Sequence, residues 1–120
     1  MSEGPLLKNS FEFAKQIIFT YKLLVDEKHE FVLGKQLLRC GTSIGAMLRE
    51  AQNAESNMDF IHKLAVAQKE TGEAIYWLDL LHQTGYLTVE QYDPLQKTAS
   101  EIARMLKSAI ITSKNKSNKK

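Results

Sequence analysis

Several features common in other protein classes are scarce in this 120-residue sequence. The one cysteine, Cys40, excludes a disulfide framework and a thiolate zinc cage, because each needs at least two sulfur atoms close together. Two prolines and six glycines are too few for the many turns of an all-β protein. No apolar run approaches the roughly 18 residues of a membrane span, and no secretory signal is visible at the start. We therefore expect a helical, cytoplasmic protein that does not contact a membrane.

Charge is unevenly distributed along the chain. Residues 107–120 contain five lysines and no acid, which leaves 11 basic and 14 acidic residues, a net charge of −3, in residues 1–106. A lysine-rich end can attract a phosphate backbone, although such ends also serve simply as solubilising termini. The length suits one domain. We predict a single domain over residues 1–114 and a basic flexible tail over residues 115–120.

Apolar residues recur every three or four positions in four segments, which is the spacing of amphipathic helices. The predicted helices run from Phe11 to Val25 after a Ser10 cap, from Leu33 to about Ala54, from Ser56 to a stop at Gly85, and from Thr88 to Ala109. Ser56 with Asp59, and Thr88 with Gln91, have the spacing of capping boxes. Four helices with short connections favour an all-α fold, an antiparallel up-down-up-down four-helix bundle.

The third helix is apolar over more of its circumference than one bundle core requires. A second stripe accompanies its core stripe and consists of Ile61, Ala65, Gln68, Gly72 and Ile75. Tyr76 and Trp77 add aromatic area at further angles. Since large exposed apolar surfaces mark interfaces, we expect self-association that involves Tyr76 and Trp77.

The second helix contains two glycines, Gly41 and Gly45, each of which costs about 1 kcal/mol relative to alanine. The absent side chains would let another helix backbone come close. Arg39, Ser43 and Glu50 form a polar stripe beside the apolar one. If this stripe faces a neighbouring helix, Arg39 needs a carboxylate partner, for which Glu50 and Glu73 are the candidates. The alternative is that Arg39 and Glu50 are solvated.

At these residues the sequence resembles a bacterial family, the 23S rRNA intervening sequence proteins, once labelled S23 ribosomal protein. The resemblance covers about residues 11–114. The matching positions are Leu38, Arg39, Gly41 to Ala46, Glu50, Ala51, Ser56, Asp59 to Ile61, Lys63, Leu64, Lys69, Glu70 and Tyr76 to Leu78. Two positions depart from the pattern, Cys40 for the usual serine and Met47 for the usual asparagine.

The resemblance implies a four-helix bundle that assembles as a ring-like homopentamer and is linked to nucleic acid. It also connects the chain to the accessory variability protein of diversity-generating retroelements, a relative that binds nucleic acid and a reverse transcriptase. The cations that could contact RNA or DNA here are Arg104, Lys107, Lys114, Lys116, Lys119 and Lys120. The close-packing or oligomer positions would be Arg39, Gly41, Ser43, Gly45, Glu50, Tyr76 and Trp77.

Reaction chemistry has little support in the sequence. Two Asp-x-x-His pairs, Asp59 with His62 and Asp79 with His82, lie on one helix about 30 Å apart, too far to share a di-metal centre. Cys40 lies on the apolar stripe, where a free cysteine behaves as a small hydrophobe. We therefore expect a non-enzymatic scaffold or adaptor without cofactor or metal. A protein-binding module with no nucleic-acid role and a small metal-dependent enzyme are the alternatives.

Overall fold

The computed structural model describes residues 4–118, which form four helices joined by short loops. The helices are α1 (Pro5–Asp26), α2 (Val32–Gln52), α3 (Asn57–Gln83) and α4 (Val89–Asn118). Each helix packs against the next one in the chain, and α1 also packs against α4. The up-down-up-down bundle is therefore confirmed. Within residues 4–118, no helix is long and apolar enough to cross a membrane.

Helix α1 begins six residues before its predicted first residue, Phe11, and the predicted Ser10 cap is wrong. Pro5 occupies the first turn, where its missing N–H costs nothing and its fixed φ suits a helix. Ser10 lies inside the helix and is fully buried, and its hydroxyl donates to the Leu7 carbonyl oxygen at 3.0 Å. The earlier start extends the helix by more than one turn and brings the half-buried Leu6 and Leu7 against the core.

The predicted caps of α3 and α4 are present. The Asp59 amide donates to Ser56 Oγ at 3.0 Å, and the Gln91 amide donates to Thr88 Oγ1 at 3.2 Å. Gln91 completes its box by accepting from the Thr88 amide at 2.9 Å. The shorter Asp59 side chain accepts instead from the amide of Glu55, at 3.2 Å.

Gly85 ends α3 as predicted, since its φ of +88° lies in the left-handed region that favours glycine. The Gly85 amide donates to the His82 carbonyl and the Tyr86 amide donates to the Leu81 carbonyl, which satisfies the last carbonyl groups of the helix.

One continuous apolar core fills the space between the helices. Its fully buried members come from all four helices and include Phe13, Ile17, Leu24, Leu37, Ile44, Leu64, Leu78, Leu81, Ile102 and Leu106. Thr71 is the buried polar residue at the centre of α3, and its hydroxyl donates to the Ala67 carbonyl at 2.8 Å. Backbone acceptors one turn earlier therefore satisfy both the Ser10 and the Thr71 hydroxyl groups.

Helix α4 is longer than the sequence predicts and runs past the predicted domain boundary after residue 114. Asn57, the first residue of α3, donates from its side-chain amide to the Ser113 carbonyl at 2.9 Å, so the two helices are level there. Helix α4 then continues to Asn118. This extension contributes to the long axis of the molecule, which measures 54 Å against 23 and 21 Å across.

Candidate interaction surfaces

The predicted glycines of α2 lie against α1. An added Cβ on Gly41 would come within 2.8 Å of Ile17 Cγ1, closer than real Cβ atoms approach, and one on Gly45 would lie 3.4 Å from Ser10 Oγ. Gly34 also lies in this interface, with its Cβ position 3.4 Å from the Tyr21 ring. Sequence reasoning missed Gly34, although its seven-residue spacing from Gly41 places both on one face. The glycines thus form a seam along which α1 and α2 approach closely.

The polar stripe of α2 makes ion pairs with α3. Arg39 Nη2 donates to Glu73 at 2.7 Å, and Arg39 Nη1 donates to Glu70 at 3.1 Å. The hydrogen bond to Glu73 and the charges of both glutamates raise the pKa of Arg39. Glu73 was a predicted partner, whereas the other predicted partner, Glu50, accepts instead from Lys63 at 3.0 Å.

The interface between α2 and α3 is therefore polar on its outer side, and the prediction that Arg39 finds a partner on a neighbouring helix is confirmed. Ser43 does not join these pairs, because its hydroxyl donates to the Arg39 carbonyl at 2.6 Å. Half of the Arg39 side chain stays exposed, so solvent screens the pairs and each contributes little to stability.

The outer face of α3 has no partner in the bundle, and its exposed strip runs along Met58, His62, Ala65, Lys69, Gly72 and Tyr76. Tyr76 is 57% exposed and lies edge to face with Trp77, with ring centroids 5.2 Å apart. Ala65 and Gly72 are exposed on the same side of the helix, and an added Cβ on Gly72 would meet no atom within 4 Å. Of the predicted second stripe, Ile61, Gln68 and Ile75 are half-buried. We call the exposed strip from Met58 to Tyr76 the α3 outer face.

The basic residues predicted to contact nucleic acid lie on two different sides of α4. Arg104, Lys107 and Lys114 are exposed and share one face at helical spacing. Lys116, two residues after Lys114, lies on the other side of the helix. Lys119 and Lys120 lie outside the described residues. No acid occurs after Glu101, so every charged residue in the C-terminal half of α4 is basic.

The titratable groups considered for chemistry have structural partners. Burial raises the pKa of the Cys40 thiol to about 11, which leaves it a neutral core residue rather than a nucleophile at pH 7. Asp59 caps α3, and His62 is exposed one turn away. Among residues 4–118, no three His, Cys, Asp or Glu side chains are grouped so as to hold a metal ion.

The second Asp-x-x-His pair joins α3 to α4. Tyr92 donates its hydroxyl to Asp79, and this hydrogen bond raises the pKa of Tyr92 to about 12. The His82 ring stacks on the Tyr92 ring at 4.3 Å, and its Nδ1 lies 3.0 Å from the Leu87 carbonyl oxygen. These contacts fix the turn between the two helices.

Comparison with known proteins agrees with this architecture. The 23S rRNA-intervening sequence protein family matches residues 5–108. The chain is also similar to a crystal structure of a protein with unknown function, from the S23 ribosomal protein family of Bacteroides thetaiotaomicron VPI-5482. The two share 50% sequence identity and superpose with a TM-score of 0.87, over 88% of this chain and 97% of that one. Among functionally curated proteins, none matches the chain.

Proposed function

The chain belongs to the 23S rRNA-intervening sequence protein family, and we propose that it works as a non-enzymatic, homo-oligomeric scaffold. The proposed assembly is the homopentamer that the family resemblance implies, with the α3 outer face buried between protomers. The single observation that carries the proposal is the glycine at position 72, which is exposed near the middle of α3.

Gly72 has no explanation within one protomer. A glycine inside a helix costs about 1 kcal/mol relative to alanine. For Gly41 this cost has a clear reason, because Ile17 occupies the space that a side chain would need. At Gly72 a Cβ would meet nothing within 4 Å. A second chain that packs closely against α3 would supply the missing reason, since glycine permits the approach of another backbone.

The surroundings of Gly72 support a protein partner at this position. Tyr76 lies one turn further along α3 and exposes 57% of its surface, and Met58, near the start of the helix, exposes 80%. Ala65 lies two turns before Gly72, and the exposed Lys69 lies between them on the same strip. Tyrosine and methionine are enriched at the centres of protein interfaces.

We propose no reaction for the bundle, and the structural roles of its titratable and hydroxyl groups within residues 4–118 support this. The hydroxyls of Ser10 and Thr71 are bonded to backbone carbonyls, and the Cys40 thiol is buried with a raised pKa. The half-buried Glu73 and the exposed Glu50 are each paired with a cation of a neighbouring helix.

Light scattering after size exclusion tests the assembly. The wild-type chain is expected to have a mass about five times that of the 13.6 kDa protomer. Gly72→Leu is expected to lower this mass, because a branched side chain would hold the neighbouring backbone away, while the exposed position leaves the protomer folded by circular dichroism. Ala46→Leu is the matched control, since Ala46 is exposed on the outer side of α2. A monomeric wild type, or a Gly72→Leu variant of unchanged mass, would contradict the proposal.

Nucleic acid is the partner that the basic half of α4 favours. Arg104, Lys107 and Lys114 are exposed on one face of the helix and Lys116 on the other side, with no acid among them in the sequence. Displacement of counterions by phosphates makes such cations attractive to RNA or DNA. Truncation at residue 107 would be a poor test, because Ser113 and Ile110 further along the helix pack in the bundle.

Charge substitution is the better test of nucleic-acid binding. We expect the triple variant Lys107→Gln, Lys114→Gln, Lys116→Gln to bind a short RNA duplex more weakly and with a shallower salt dependence, by about 0.9 in the log–log slope per lost phosphate contact. The control variant carries Lys22→Gln, Lys28→Gln and Lys35→Gln, three exposed lysines towards the other end of the bundle. Equal losses in both variants would reveal only bulk charge attraction. Absence of binding in the wild type would favour a protein partner instead.

A further inference from the structure

The interface between α1 and α4 contains a cleft that the scaffold role does not use. The cleft has a volume of about 310 Å³, within the range of about 300 to 1,000 Å³ that is typical of small-molecule sites. It lies where the contact between neighbouring helices is least extensive. Its apolar floor consists of the buried Phe13 and Leu95, with the exposed Pro94 beside them.

Two rows of polar residues form the walls of the cleft. On α1 the row is Glu12, Gln16 and Thr20, and on α4 it starts at Glu90 and ends at Thr98. The α1 residues recur every four positions and so follow one edge of the helix, whereas on α4 Pro94 lies midway between Glu90 and Thr98.

The two glutamates lie at opposite ends of the cleft. Thr20 lies beside Gln91, next to Glu90, whereas Asn9, before Glu12, lies beside Glu101. Glu12 therefore lies about two helical turns from the Glu90 end, a separation of roughly 12 Å along the axis. No lysine, arginine or histidine lines the cleft.

We propose that this cleft binds a linear polyamine, with one ammonium group at each glutamate and the methylene chain along the apolar floor. A ligand with a single cation would leave one carboxylate unused, and an anionic ligand would meet two like charges. Between the ends, Gln16 and Thr20 supply amide and hydroxyl groups that accept hydrogen bonds from an internal amine.

Glu12 already holds an ammonium group. Lys15 Nζ lies 3.0 Å from Glu12 Oε2, and both side chains are about half exposed, so the pair is weak and replaceable. Glu90 lies in the first turn of α4 and is exposed, and no lysine or arginine lines the cleft beside it. Glu90 is thus the principal anchor, and Lys15 competes with the ligand at the other end.

Isothermal titration calorimetry at constant ionic strength tests the site with spermidine as the probe. We expect one spermidine per protomer, with similar affinity for 1,8-diaminooctane. The short 1,3-diaminopropane cannot reach both carboxylates, so it should bind at least about fivefold more weakly, as should octylamine with its single charge. Glu90→Gln is expected to weaken spermidine binding about fivefold, whereas Lys15→Gln should strengthen it.

The matched control is Glu27→Gln, which removes one exposed carboxylate just after the end of α1 and outside the cleft. Equal weakening by Glu27→Gln and Glu90→Gln, affinity that does not depend on ligand length, or absence of binding would each overturn the proposal. The outcome is separable from that of the scaffold proposal, because the cleft lies within one protomer and its occupancy is measured independently of mass.

Discussion

Ile17→Ala is expected to lower the free energy of unfolding by about 3 to 4 kcal/mol, because it leaves a cavity at the centre of the seam between α1 and α2. Ile17 is fully buried and faces Gly41. The measurement is denaturant unfolding followed by circular dichroism at a fixed protomer concentration, since assembly adds to apparent stability.

The neighbouring residue provides the control for this prediction. Ile18 has the same side chain and is 39% exposed, so Ile18→Ala is expected to cost less than about 1.5 kcal/mol. Equal losses in the two variants would mean that α1 does not present the Ile17 side to the core.

Gly41→Ala is expected to lower the free energy of unfolding by about 1 kcal/mol, although alanine is the better helix former. The new Cβ would lie 2.8 Å from Ile17 Cγ1 and 2.9 Å from Cγ2, and a β-branched residue in a helix has no second rotamer to adopt. Overpacking of this kind costs about 1 to 3 kcal/mol, which exceeds the gain of about 1 kcal/mol in helix propensity.

The double variant separates this steric explanation from a general intolerance of position 41. In the Ile17→Ala background the space beside Gly41 is vacant, so Gly41→Ala should be neutral or stabilising, and the two changes should couple by about 2 kcal/mol. Additive losses would show that Gly41 is required for another reason.

Most of the fold is predictable from the sequence, because helical periodicity and local end signals act over a few residues. The predicted α2, from Leu33 to about Ala54, differs from the observed Val32–Gln52 by one or two residues at each end. The start of α1 is not predictable in this way. A serine before an apolar run is a good local cap, but burial of Leu6 and Leu7 and the fixed φ of Pro5 decide where this helix begins.

Contacts between helices are less predictable, since they depend on the axial register of two helices, which periodicity does not specify. The sequence indicates that Arg39 needs an acid and narrows the choice to two, but only the register of α2 against α3 selects Glu73 and adds Glu70. The same register turns Glu50 towards Lys63. A shift of one turn would exchange these partners.

The cap of α2 is a local feature that sequence reasoning missed. Glu30 accepts from the amides of Leu33 and Gly34 with its side chain, in place of the usual short N-cap residue. The preceding His29 has a φ of +53°, which turns the chain so that the Glu30 carboxylate reaches the helix end. Glutamate is not among the preferred N-cap residues, so the sequence around Glu30 predicts only a loop.

The four interfaces between neighbouring helices differ in how tightly they pack, and this difference determines where the bundle opens transiently. Helices α1 and α2 pack closely at the glycine seam, and ion pairs and core contacts join α2 to α3. The hydrogen bond from the Tyr92 hydroxyl to Asp79 joins α4 to α3. Between α1 and α4 the contacts are few and the cleft separates the backbones. Transient local unfolding therefore begins at the interface between α1 and α4. The amides of α1 and α4 that border this interface exchange with solvent before those of α2 and α3.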